Sequence, residues 1–331
     1  MLRAVRASLL LALAASGCAT SGPRPAPAPD VTWPAAPAQP RVRLVATLPA
    51  PVQVSRWRRV LDAIVGLESG PARGAPLERP FGVAVGPGGD VIVADPDLAG
   101  VFRLGEGRPT PIACRGREWD TPMALAVARD GALLVADSGA AEIVRVAPDG
   151  ACTTIGAGEL ERPTGVAAGS ERIYVADPPR HEVVAFSPGG VVRLGRRGEG
   201  EGEFAFPTAA ATAPDGTLLV VDALNFRIVR LSAGGAWMAS FGTPGDEGGA
   251  FARPKGIAVD GDGRVYVSDA QRDLVLVFGH DGSFEYSIGG TGSAPGWFTH
   301  PAGLAVAGGR LYVADSHNRR IQVFEILGER T

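Results

Sequence analysis

A short unit recurs six times between residues 80 and 327, and that recurrence constrains the fold more than any other feature of the chain. The last copy, Pro301 to Phe324, reads as three short strands: Gly303–Val306, Leu311–Asp315 and Ile321–Phe324. Ala307-Gly308-Gly309 turns between the first two strands, and a polar loop, Ser316 to Arg319, leads to the third. Gly-containing turns between β-branched and apolar runs signal hairpins. The opening proline falls at Pro80, Pro122, Pro163, Pro207, Pro254 and Pro301. The aspartate closing the second strand falls at Asp95, Asp137, Asp177, Asp222, Asp269 and Asp315. Successive prolines are 42, 41, 44, 47 and 47 residues apart, while each proline precedes its aspartate by 14 or 15. A fixed interval inside a unit of forty-odd residues, with the variation left to the loops, predicts an all-β, six-bladed β-propeller.

Each of the first five units also has a more polar fourth strand, near Ile112, Thr153, Val192, Ala239 and Tyr286. The sixth lacks one, because the chain ends soon after Phe324. Arg43 to Leu48 is a spare strand ahead of the first unit, and it is expected to complete blade 6 and close the ring, since an open edge is a liability.

The N-terminus reads as a sorting signal. Arg3 and Arg6 precede a short apolar core, Leu9 to Ala15, and then Ser16-Gly17-Cys18. Such a core is too short to span a bilayer. Small residues before a cysteine resemble a bacterial lipobox, which implies cleavage after residue 17 and lipidation of Cys18. Ala19 after the cysteine resembles outer-membrane sorting, so the chain is expected to face the periplasm from that membrane. An ordinary secretory signal with an incidental Cys18 is the alternative. Residues 19–40 hold seven prolines in 22 residues, which reads as an extended tether. Ser55 to Gly66 places Trp57, Val60, Leu61, Ile64 and Val65 on one helical face, predicting a short helix with Ser55 as N-cap. The expected organisation is a signal at 1–17, a tether at 18–40 and a propeller at 41–331.

The units resemble NHL repeats, and the chain is similar to bacterial six-bladed propeller lipoproteins built from them. The residues that carry the resemblance are the P-x-G-x-A-V strand, the V-x-V-A-D strand and the N-R-x-I-Q-V-F segment, clearest in blade 6. The linker pattern G-x(5)-G-x-F-x-x-P adds to it, with Phe204, Phe251 and Phe298 each 47 residues apart. Blades 1 to 3 depart from the pattern, with Gly100, Ala141 and His181 near where Asn-Arg would stand. The resemblance implies a binding platform for protein or RNA, while related six-bladed folds include amidating lyases, gluconolactonases and strictosidine-synthase-like enzymes. Fold alone does not choose among these.

The residue before each proline is expected at the ligand-binding face: Arg79, Thr121, Arg162, Phe206, Arg253 and His300. Arg79, Arg162 and Arg253 would form a pseudo-threefold cationic set suited to a carboxylate or phosphate. The competing expectation, and the favoured one, pairs them with Asp95, Asp177 and Asp269. His300 with His317 in blade 6 completes the candidate ligand-binding set. The histidines show no metal-ligand spacing, no nucleophile elbow is present, and no cofactor or catalytic residue is expected. The aspartates read as structural, capping loops and fixing arginines such as Arg227 and Arg319. With Arg3 and Arg6 removed the mature charge is 30 − 35 = −5, which opposes nucleic-acid binding. Cys114 and Cys152 are read as free thiols on outer strands that diverge at the rim, although export permits a bond. The expectation is therefore a monomeric, non-catalytic envelope lipoprotein. It would bind a protein or a small ligand, neutral or anionic, on its propeller face and touch the membrane only through its lipid. The alternative is a metal-dependent lyase or gluconolactonase-like hydrolase.

Overall fold

The computed structural model describes residues 31–49, 77–105 and 108–328. Six sheets form the blades of a propeller. Their innermost strands are Gly82–Val85, Pro122–Val127, Gly165–Ala168, Pro207–Thr212, Pro254–Val259 and Pro301–Ala307. Each pairs antiparallel with a second strand ending on the recurring aspartate, and a third strand follows through a tight loop. The second strands are buried on both faces because each blade is sandwiched between two others, so their apolar residues run without alternation.

Blade 6 carries five strands. Val42–Leu48 lies antiparallel to Arg320–Ile326, with Val42 opposite Ile326 and Leu48 opposite Ile321. Outside it runs Thr32–Trp33, within the stretch read from sequence as tether. Trp33 explains the difference: its ring meets Phe324 edge-on at 5.7 Å and packs over Gly296, so the prolines around it do not keep this segment off the domain. The signal segment, Cys18 and the helix expected at 55–66 lie outside the described residues.

Where the inner strands converge, backbones nearly touch. The second residue after each proline is Gly82, Ala124, Gly165, Ala209, Gly256 or Gly303. A Cβ added to Gly256 would lie 2.3 Å from the Ala302 carbonyl oxygen, and one on Gly303 2.3 Å from that of Phe81. Smallness at this position is what lets six blades close around one axis.

Candidate functional site

Each recurring aspartate is fully buried. In blades 1, 3 and 5 its work differs from the expected pairing with the Arg79, Arg162 and Arg253 side chains. Asp95 accepts the backbone N–H groups of Glu78 (2.7 Å) and Arg79 (3.0 Å). Asp177 accepts those of Glu161 and Arg162, both at 2.9 Å, and Asp269 those of Ala252 (2.7 Å) and Arg253 (3.0 Å). The carboxylate thus ties the end of the second strand to the chain entering the inner strand, satisfying two donors at the top of the blade. Burial raises the carboxyls of Asp95, Asp222 and Asp315, and these donated bonds oppose it.

With the aspartates so engaged, the arginine side chains go elsewhere. Arg79 pairs with Asp97 at 2.5 Å, half-exposed. Arg162 is exposed and belongs to no ion pair among the described residues, and it does not line the central cavity. Arg253 does line that cavity. The other anticipated arginine, Arg319, does not reach its aspartate: it holds the left-handed turn position (φ 56), and its neighbour Arg320 makes the contact at 2.7 Å. Arg227 makes the equivalent contact in blade 4 at 2.8 Å.

In blades 4 and 6 the pre-proline residue turns differently. Phe206 and His300 have φ of 65 and 52. Their N–H groups donate to the preceding blade, to His181 Nδ1 (3.1 Å) and Asp273 Oδ1 (2.7 Å) respectively. The His300 ring stacks on His317, with centroids 4.3 Å apart. Burial, then the neighbouring His300, Lys255 and Arg79, hold His317 below its ordinary pKa. His300 Nδ1 is buried without a partner among the described residues.

The cavity on the propeller axis holds about 720 Å³ and is lined by the residues after each proline. Phe81, Met123, Thr164, Thr208, Lys255 and Ala302 form its first ring. The threonine hydroxyls are spent between blades, Thr164 on the Thr208 carbonyl (2.9 Å) and Thr208 on that of Lys255 (3.3 Å). Leu224, Phe206 and Phe226 add apolar wall on the blade 4 side. The charged and amide groups gather in blade 5, as Lys255, Arg253 and Gln271. The result is a cavity with one cationic side and one apolar side.

Lys255 was not anticipated, yet its signal stood in the sequence: it is the single lysine among 32 lysines and arginines. Its ammonium stands 4.5 Å from the centre of the Phe81 ring and ion-pairs with no carboxylate among the described residues. Burial, helped by Arg253 and Arg79, pushes it down to about 8. The attraction of the ring for the cation, about 0.5–2 kcal/mol, is the weaker influence.

The expectation for Cys114 and Cys152 is corrected: they form a disulfide, Cα to Cα 5.8 Å. The fourth strand of blade 1 is only Thr110–Pro111, so the chain leaves the rim early. Cys114 then buries itself against blade 2, among Val144 and Val146, rather than diverging with an outer strand.

Blade 6 also shows how its linker is held. Phe298 is fully buried, and Asp315 accepts from Thr299 N–H, Asn318 and Arg320. Arg320 further donates to the carbonyls of Ser293, Ala294 and Trp297. Residues 298–324, which contain this network, match the family model of the NHL repeat. No curated protein matches the chain. Among solved structures, the propeller is similar to virginiamycin B lyase from Staphylococcus aureus (14% identity, 76% of this chain and 96% of that one, TM-score 0.56). It is likewise similar to a Xanthomonas campestris gluconolactonase (19%, 76% and 87%, 0.59). A third similar structure is an auxiliary nutrient binding protein from Bacteroides thetaiotaomicron (10%, 75% and 69%, 0.60). At these identities the likeness is one of fold, and that fold serves enzymes and a binding protein alike.

Proposed function

We propose that the protein is an exported, lipid-anchored envelope protein that binds a small carboxylate with an apolar body in the axial cavity, without catalysing its conversion. The observation that carries this reading is Lys255, a cation without a carboxylate partner among the described residues, set beside Arg253 on one wall of a mostly apolar cavity. Like charges gathered without a counter-charge are relieved by an anion, and the apolar wall of blades 2 to 4 suits a hydrocarbon or aromatic body. The disulfide supports an oxidising compartment, in keeping with the signal segment. Among the described residues no three His, Cys, Asp or Glu side chains converge as metal ligands.

Calorimetric titration with octanoate tests the reading. Binding at pH 7 should weaken at least tenfold in Lys255→Ala. In the wild type it should fall away as pH rises through about 8, where Lys255 loses its charge. Absence of binding by octanoate and by aromatic carboxylates at pH 7 would sink the reading. The competing enzymatic reading, prompted by the lyase and gluconolactonase folds, requires a stoichiometric tightly held metal in purified protein, which elemental analysis detects. For the anchor, Cys18→Ala should move the protein from the membrane fraction to the soluble one. Unchanged membrane association would refute lipidation.

A further inference from the structure

We infer that Lys255 is a carbonyl-capturing amine: the cavity admits a small aldehyde, which condenses reversibly with the Lys255 side chain to an imine. This rests on the reading of the cavity as a ligand site, and it adds a chemistry that anion binding does not require.

Composition and position point the same way. The chain has 31 arginines, none of which can supply a neutral nucleophilic amine, and its one lysine stands in the first ring of the axial cavity. A residue wanted only for charge or for stacking on Phe81 could be the arginine used everywhere else, since a guanidinium serves both purposes better. The charged and titratable groups around the amine are Arg253 from its own blade, Arg79 from blade 1 and His317 from blade 6. Among the described residues no carboxylate ion-pairs with it to hold the proton. Burial beside two guanidinium groups is the environment that makes a lysine amine available near neutral pH, consistent with its descent to about 8.

The step needs no oxidant or reductant. The nitrogen lone pair attacks the carbonyl carbon and forms the C–N bond. The carbinolamine then loses the former carbonyl oxygen as water, which takes up one proton that leaves nitrogen and one from solvent. The imine nitrogen is protonated or neutral according to pH, and hydrolysis reverses the sequence. The mostly apolar lining limits the water available for that reversal.

The experiment is reductive trapping on the purified full chain, with butanal as probe and cyanoborohydride to fix any imine as a secondary amine. Peptide mapping locates the adduct, and Nα-acetyl-lysine in the same solution sets the rate of an ordinary side-chain amine. At pH 7.5 Lys255 should be alkylated at least tenfold faster than the free amino acid. A shift to about 8 alone raises its neutral fraction on the order of a hundredfold. Lys255→Arg, checked for folding by circular dichroism, should give no internal adduct. Labelling of Lys255 no faster than Nα-acetyl-lysine overturns the proposal. Octanoate titration of the wild type separates the two readings. Octanoate binding without accelerated labelling leaves the anion site standing and removes the amine chemistry. Accelerated labelling without octanoate binding does the reverse.

Discussion

Blades 4 and 6 neutralise their buried aspartate with the arginine five residues on, whereas blade 2 takes its cation from the linker before it and blade 3 has only Arg180, 3.9 Å from Asp177. In blade 6 one side chain, Arg320, reaches Asp315 and three carbonyls of the linker before it, and Arg227 does the same in blade 4 with the carbonyls of Glu199, Gly200 and Glu203. Blade 2 has Glu142 at the equivalent position, so the charge is reversed there. Its cation is Arg117, which comes from the linker and touches both Asp137 (3.4 Å) and Glu142. Blade 3 has Glu182, which pairs with Arg193 of its own fourth strand. Between blades 1 and 2 the disulfide takes over the task of fixing the linker. The same mechanical need, a pinned linker over a compensated carboxylate, is met by one residue in blades 4 and 6 and by several in blades 2 and 3.

Removing the single residue should therefore cost most. Arg320→Ala leaves Asp315 buried with its cation gone and strips the linker carbonyls of donors. A loss of about 3–5 kcal/mol is expected in urea unfolding. A loss under about 1 kcal/mol would erase the contrast between blades 4 and 6 and blades 2 and 3.

That contrast also governs what could be read in advance. The blade count and strand order follow from a proline-to-aspartate interval that loops cannot disturb. The partners of the aspartates do not: Asp95, Asp177 and Asp269 accept backbone N–H groups, which leave no trace in side-chain identity. The residue before each proline supplies Arg253 and Phe206 to the cavity wall, but the full ring of the wall is built by the residue after it. Among the residues before the prolines only Phe206 and Arg253 line the cavity, and Arg79, Thr121, Arg162 and His300 do not. Lys255 was legible as a solitary lysine. The disulfide was hidden by a fourth strand of two residues, a length that the sequence of the first unit does not announce.

The next largest effect belongs to the early half. Cys152→Ser should cost about 2–4 kcal/mol, since the bond closes residues 38 apart. Hydrogen exchange should accelerate in blades 1 and 2 and stay unchanged in blades 4 to 6. Uniform acceleration around the ring would show that the staple is not local.

Glu182→Gln probes the borrowed arrangement in blade 3. Its partner Arg193 is 38% exposed and keeps Glu159, so the loss should stay within about 1 kcal/mol. A cost matching that of Arg320→Ala would make the two designs equivalent. Smallest of all is Arg319→Ala, beside the residue with the largest effect. Its exposed side chain should change stability by no more than about 0.5 kcal/mol by the same measurement. A larger loss would place the hub contact on the wrong arginine.

The ring of glycine and alanine at the second position after each proline separates what can drift from what cannot. Any side chain at Gly256 or Gly303 collides with the main chain of the next blade, so the bore is set by backbone and is closed to inheritance by substitution. The position just before it, occupied by Phe81, Met123, Thr164, Thr208, Lys255 and Ala302, carries no such obligation and shows five residue types in six copies. Substitution at those six letters can redraw the wall of the cavity, while the six blades that hold them never register the change.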